Sequence, residues 1–320
     1  MKAADMPEGP TVRRFYSIVS PFVSQYVVKV GGSTKQISLH DLKGKSFNSC
    51  QVHGKNLYLE FTISDTKAVG NASSGIDNAK EYTETREIQS SVIQATSKEQ
   101  SGSSQDVGSA ESHMSRWLRF HFGLYGSVRS NEFARAKQAN KRGDWRDPTP
   151  RLILNFEAGG FLVFYNCRMA WCSSPASEPS CDVLSPEFDT ERAVRALSSS
   201  RPVCFSLMDQ KCFSGVGNII KNEILFLAQI HPLSLGSALP IEKLHSLVHH
   251  ALHFTSAWLS SKMKNEGLHY HIYMKEYCDK GHKVIKEKLG PDYGLKRLTW
   301  FCPNCQPQVK CYQTLPVSIL

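Results

Sequence analysis

A chain of 320 residues is long enough for two modest domains, each with its own core. Its hydrophobic content of 41% fits a globular protein, and it holds no run of about eighteen apolar residues of the kind that spans a membrane. The formal charge of +9 favours an anionic partner, and because the stretch 65–113 is net acidic, the remainder is more basic still, in keeping with nucleic acid. Met1–Thr11 lacks the apolar segment of a signal peptide. The ten cysteines therefore read as thiols and metal ligands, not as a disulfide framework.

In chain order, Val12, Phe15, Ile18, Val19 and Phe22 recur at helical spacing after Pro10, a residue suited to a first helical turn, so a helix is expected over 10–22. An extended segment follows. Gln51-Val52-His53-Gly54-Lys55-Asn56 then leads into Leu57, Leu59, Phe61 and Ile63, whose period of two reads as a strand with one buried face. Over 65–113 serine abounds and periodicity lapses, which predicts an unstructured acidic insertion. Alternation returns at 117–122, a basic loop spans 137–151, and 152–156 with 161–166 form a hairpin about Glu157-Ala158-Gly159-Gly160. A linker near 173–186 precedes a helical part, with helices expected at 190–197, 219–229 (stopped by His231-Pro232) and 241–261. The fold class is α+β: an N-terminal β-sandwich with a leading helix, then a helical domain.

Three constellations carry chemistry. Met6-Pro7-Glu8-Gly9-Pro10 is open to two readings, a plain helix start or, if the Pro7 nitrogen is a free terminus, a nucleophile. An α-amino group is roughly a tenth unprotonated at pH 7. Attack by a secondary amine on a sugar C1′ gives a cationic iminium that eases later eliminations, and Glu8 is placed to move protons. Cys278-x3-His282 and Cys302-x2-Cys305 are two short ligand pairs that close a tetrahedral zinc site of structural kind. His269, His271 and Cys311 lie nearby without a partner at suitable spacing. Gly215-Val216-Gly217-Asn218 before an apolar helix either cradles a phosphate at a helix N-terminus or makes a tight turn with Asn218 as N-cap.

Together these segments resemble the formamidopyrimidine-DNA glycosylase and endonuclease VIII family. Met6–Pro10 looks like its processed start. Leu207-Met208-Asp209-Gln210 through Gly217-Asn218-Ile219-Ile220 to Ile230-His231-Pro232-Leu233 is similar to its helix–two-turn–helix element, and Arg297–Gln306 to the second half of its zinc finger. The resemblance spans nearly the whole chain except 65–113. It implies Pro7 as Schiff-base nucleophile, Glu8 as acid–base partner and Lys55 as a phosphate contact that assists β-elimination. It also implies Asn218 and Arg297 as a pair of phosphate clamps, Arg297 being linked with δ-elimination. Leu124 and Tyr125, in Gly123-Leu124-Tyr125-Gly126, would be wedge residues that fill the gap left by an extruded nucleotide. The alternative for that tetrapeptide is a strand-end turn.

Three departures stand out. Met1–Asp5 precede the motif, so a chain begun at Met1 holds Pro7 in an amide, and the active protein is expected to start at Pro7. Thr11 stands where several relatives carry a second glutamate. His282 replaces a cysteine of the bacterial finger. The expected organisation is a catalytic β-sandwich domain over 7–185, a helix–two-turn–helix DNA-binding domain over 186–268, a zinc finger over 269–307 and a tail over 308–320. The expected function is a bifunctional DNA glycosylase/AP lyase of base excision repair. It is nuclear and monomeric, acts on oxidised pyrimidines by β,δ-elimination, and uses structural zinc but no soluble cofactor. The rival readings are a non-catalytic damaged-DNA-binding protein, an interaction protein working through 65–113, and an oxidised-purine glycosylase.

Overall fold

The computed structural model describes residues 6–62, 115–136, 139 and 143–309. The expected insertion over 65–113, residues 1–5 and the tail from 310 lie outside the described residues. Helix α1 (Gly9–Val19) turns Val12, Phe15 and Val19 inward, and the expected last turn is a separate tight turn over Ser20–Phe22. Six strands follow: β1 (Gln25–Gly31), β2 (Ser46–His53), β3 (Asn56–Thr62), β4 (Ser115–Ser130), β5 (Leu152–Phe156) and β6 (Phe161–Cys172). The expected β-sandwich is closed at its edges, giving a single antiparallel barrel in the order β1-β2-β3-β4-β6-β5. Closure comes from β1, which pairs with β2 on one side and with β5 on the other, Val27 lying opposite Phe156. A closed sheet leaves no free edge to cap.

The barrel is filled by the inward set that the alternation marked out: Leu57, Leu59 and Phe61 from β3, Leu118 and Phe120 from β4. Phe120 stacks on Phe164 with centroids 4.4 Å apart, and Phe15 of α1 packs on Phe122 at 4.5 Å. Strand β4 does not end at Phe122. It continues through Gly123–Gly126 as a bulge, pairing with β6 again from Ser127, so the tetrapeptide interrupts a strand rather than ending one.

The second core gathers α2 (Thr190–Leu197), α3 (Val203–Ser206), α4 (Asn218–Leu227) and α5 (Ile241–Met263). Among the described residues no helix is long and apolar enough to cross a membrane. The short α3 went unread in the sequence because one turn carries no periodicity. Helix α4 is buried on every side from Asn218 to Phe226, so its polar side chains all need partners inside. A terminal hairpin, β7 (Ile285–Leu289) and β8 (Arg297–Phe301), shares this core through Trp300, Cys278 and Cys302.

A buried carboxylate ties the two cores away from the helix ends. Asp182 Oδ2 accepts from Arg13 Nη2 of α1 and from the Gly54 amide, each at 2.8 Å, and Oδ1 accepts from the Leu184 amide at 3.0 Å. Gly54 has φ of +53° in the two-residue turn joining β2 to β3, and a Cβ there would lie 2.0 Å from Ser214 Oγ. The turn is thereby pinned from both sides. Asp182→Ala leaves the Arg13 charge and the Gly54 amide without their acceptor, and should lower the unfolding free energy by about 3 kcal/mol in denaturant titration.

Candidate active site

The first turn of the chain and the loop before α4 meet backbone to backbone: the Gly9 amide donates to Gly215 O at 2.9 Å, and Gly215 has φ of +97°. This contact delivers Glu8 to the N-terminus of α4. Its side chain makes no hydrogen bond to its own helix. Oε1 instead accepts from the Ile219 amide at 2.7 Å and Oε2 from the Ile220 amide at 3.1 Å. A Cβ on Gly217 would lie 2.2 Å from Glu8 Cδ, which is why glycine is required there. The N-cap of α4 is thus Gly217, with Asn218 one position inside, which corrects the reading of Asn218 as the cap. The anion at this helix N-terminus is the chain's own carboxylate.

Glu8 is 2% exposed. Burial raises its pKa above the ordinary value, while Lys55 and the amides of Ile219, Ile220 and Gly217 pull the other way. Lys55, carried by the turn that Asp182 pins, is lowered by burial and partly restored by Glu8, with Arg297 acting against it. A poised carboxyl and a poised amine therefore share one buried site, a pattern typical of proton-transfer centres.

Both groups line a cavity of about 440 Å³ that also takes in Pro7, Leu124, Asn218 and Arg297. Six of the seven residues expected for catalysis and DNA contact come together here. Tyr125 is the exception: it lies outside the lining, in the β4 bulge, with φ of +63° and 58% exposure. Leu124 beside it is 54% exposed. Asn218 Nδ2 donates to Leu298 O at 2.8 Å, leaving its second N–H, and Oδ1 is buried without a partner.

The cavity also holds residues that the sequence reading missed, chiefly His121, Asn56, Gln210 and Met208. His121 Nδ1 lies 3.3 Å from Asn56 Oδ1, and its pKa is lowered by burial and by Lys55, Arg119 and Arg168. Its signal was present: in the alternation of 117–122 it falls on the face opposite Leu118 and Phe120.

The ligand atoms of Cys278, His282, Cys302 and Cys305 all lie within 4.8 Å of one another, so three thiols and an imidazole can hold one metal ion. Each pair sits on a tight turn: the Gly281 amide donates to Cys278 O, and Gln306 Oε1 accepts from the Cys302 amide. His269 and His271, read as partnerless, share Asp279. Its Oδ2 is 2.5 Å from His271 Nδ1 and 3.5 Å from His269 Nε2, and its Oδ1 accepts from Lys275 at 2.9 Å. Cys311 lies outside the described residues.

Residues 179–262 match the formamidopyrimidine-DNA glycosylase H2TH domain. The chain is 47% identical to endonuclease 8-like 2 of Mus musculus, across 98% of this chain and all of that protein. It is 46% identical to the Homo sapiens protein of that name, across 95% and 97%. In fold it is similar to a viral DNA glycosylase (TM-score 0.64, 18% identity, 93% of this chain and 99% of that one). It is likewise similar to the Lactococcus lactis formamidopyrimidine-DNA glycosylase bound to DNA containing an AP site (TM-score 0.63, 20% identity, 94% and 100%). On the strength of the near full-length match, the chain belongs to the formamidopyrimidine-DNA glycosylase and endonuclease VIII family, and within it resembles the endonuclease 8-like 2 proteins.

Proposed function

We propose that this DNA glycosylase/AP lyase of base excision repair works through the nitrogen of Pro7 on oxidised pyrimidines in nuclear DNA. The observation that carries the reading is the single cavity in which four sequence-distant segments place Pro7, Glu8, Lys55, Asn218 and Arg297. The Pro7 amine attacks C1′ of the damaged nucleoside, and the base departs with the electrons of the glycosidic bond and takes up the proton that the amine gives up. Glu8 gives its proton to the ring oxygen as the sugar opens, leaving an iminium. Loss of a C2′ proton then breaks C3′–O3′ and frees a 5′-phosphate. Loss of a C4′ proton breaks C5′–O5′ and frees a 3′-phosphate. Hydrolysis of the iminium returns the amine.

The other residues serve these steps. Lys55, its pKa lowered by burial, lines the cavity and is suited to accept the C2′ proton and to contact a phosphate. Asn218 and Arg297 hold phosphate from the start of α4 and the start of β8, the guanidinium in two-pronged fashion, and Arg297 promotes the second elimination. Leu124 and Tyr125, exposed beside the cavity on a bulged strand, fill the gap left by the flipped nucleotide. Three thiolates and one imidazole suit zinc, which would hold the hairpin carrying Arg297 without touching substrate. Met6 lines the same cavity, so removing residues 1–6 both frees the amine and clears space beside it.

Two outcomes are expected. On a duplex containing 5-hydroxyuracil, a chain beginning at Pro7 should release base and cut the strand, while a chain retaining Met1–Met6 should fall to background, since an amide nitrogen is not basic. Glu8→Gln should slow base release by about 10²-fold or more. The same variant tests the electrostatics. Because burial raises the folded-state pKa of Glu8 above 4.5, the folded protein holds this proton more tightly than the unfolded one, and its contribution to stability falls as pH rises from 4.5 through the folded value. The wild-type minus Glu8→Gln difference in unfolding free energy should therefore fall with pH in that window; a difference that rises contradicts the assignment.

A further inference from the structure

Behind Arg297 lies a second cavity of about 250 Å³, sharing Met208, Leu295 and Arg297 with the first. Lys221 and Arg201 also line it. Lys221 is 2% exposed, and its Nζ donates at 2.8 Å to Thr299 Oγ1, a neutral hydroxyl. Among the described residues no carboxylate lies within ion-pair distance of Lys221, Arg201 or Arg297, and Arg297 Nε is buried with no hydrogen-bond partner. Glu8, the carboxylate whose field reaches Lys221, spends both oxygens on α4 amides. One carboxylate, Asp209, lines the cavity against these three cations.

We infer that this cavity is a phosphate subsite, in which Lys221, Arg201 and Arg297 receive the terminal phosphate monoester set free when the strand is cut. The inference rests on the lyase reading above. A buried cation without a counter-ion is costly, and burial lowers the pKa of Lys221 to about 8; a dianionic phosphate beside it restores the charge. The shared wall supplies the route. A phosphate expelled from the sugar in the first cavity reaches the second without leaving the guanidinium of Arg297, whose fork spans two phosphate oxygens. Thr299 positions Lys221 through its hydroxyl but contributes no charge.

The test compares binding of cleaved-strand duplexes ending in 3′-phosphate, in 5′-phosphate or in hydroxyls at both ends, read by fluorescence anisotropy, with inorganic phosphate as a competing probe. The wild-type chain should prefer a phosphorylated end by about tenfold or more, the worth of one charge-assisted contact. Lys221→Met and Arg201→Gln should each erode that preference. The phosphorylated end that is preferred identifies the step that loads the subsite, and competition by inorganic phosphate shows that the free anion also enters. Equal binding of phosphate and hydroxyl ends without such competition overturns the proposal, as does a preference unchanged in both charge variants. Failure of the wild-type chain to form a borohydride-stable DNA adduct, with the preference intact, would instead remove the lyase reading and leave the subsite standing.

Discussion

One carboxylate on one helix end organises the molecule. Glu8 leaves its own helix uncapped and places both oxygens on the first amides of α4, where the helix dipole and two hydrogen bonds offset the cost of burying its charge. The contact joins the first turn of the chain to the centre of the second core. It holds the carboxyl against the cavity that Pro7 lines, where burial, working against those amides, keeps it proton-hungry. A side chain that merely capped α1 would reach neither.

Helix α4 then transmits position to the far end of the chain. Asn218, Lys221 and Asn222 project from one face and meet three consecutive residues of β8: Leu298 O, Thr299 Oγ1 and the Trp300 amide. This register fixes Arg297, at the first position of the strand, relative to the helix that Glu8 anchors. A metal at Cys278, His282, Cys302 and Cys305 would stiffen the same hairpin from its other end. The cavity is therefore assembled by long-range contacts, and rigidity in two cores sets the spacing of its charges.

Those contacts explain what the sequence could show. Helices α1, α2 and α5 were legible because apolar spacing and caps are local, and α2 spans the residues expected for it. Strand β3 was legible by alternation. The closing of the barrel was not, since the pairing of Val27 with Phe156 joins segments with no local signal in common. Pro7 and Glu8 were legible as an amine and a neighbouring carboxyl, Lys55, Asn218 and Arg297 came from motif resemblance, and their convergence on one cavity is a property of the fold. His121 was hidden in plain alternation, where a polar outward residue reads as solvated. Lys221 was hidden more deeply, because a lysine in an apolar helix gives no sign that its ammonium is buried at a hydroxyl.

The account stands or falls on which nitrogen bonds to the sugar. The direct measurement is to reduce the reaction of the chain beginning at Pro7 with borohydride on an AP-site duplex, digest the adduct and locate the modified residue by mass spectrometry. The account predicts a deoxyribose remnant on the α-nitrogen of Pro7. A remnant on Lys55, or on any other lysine, with Pro7 unmodified would contradict it.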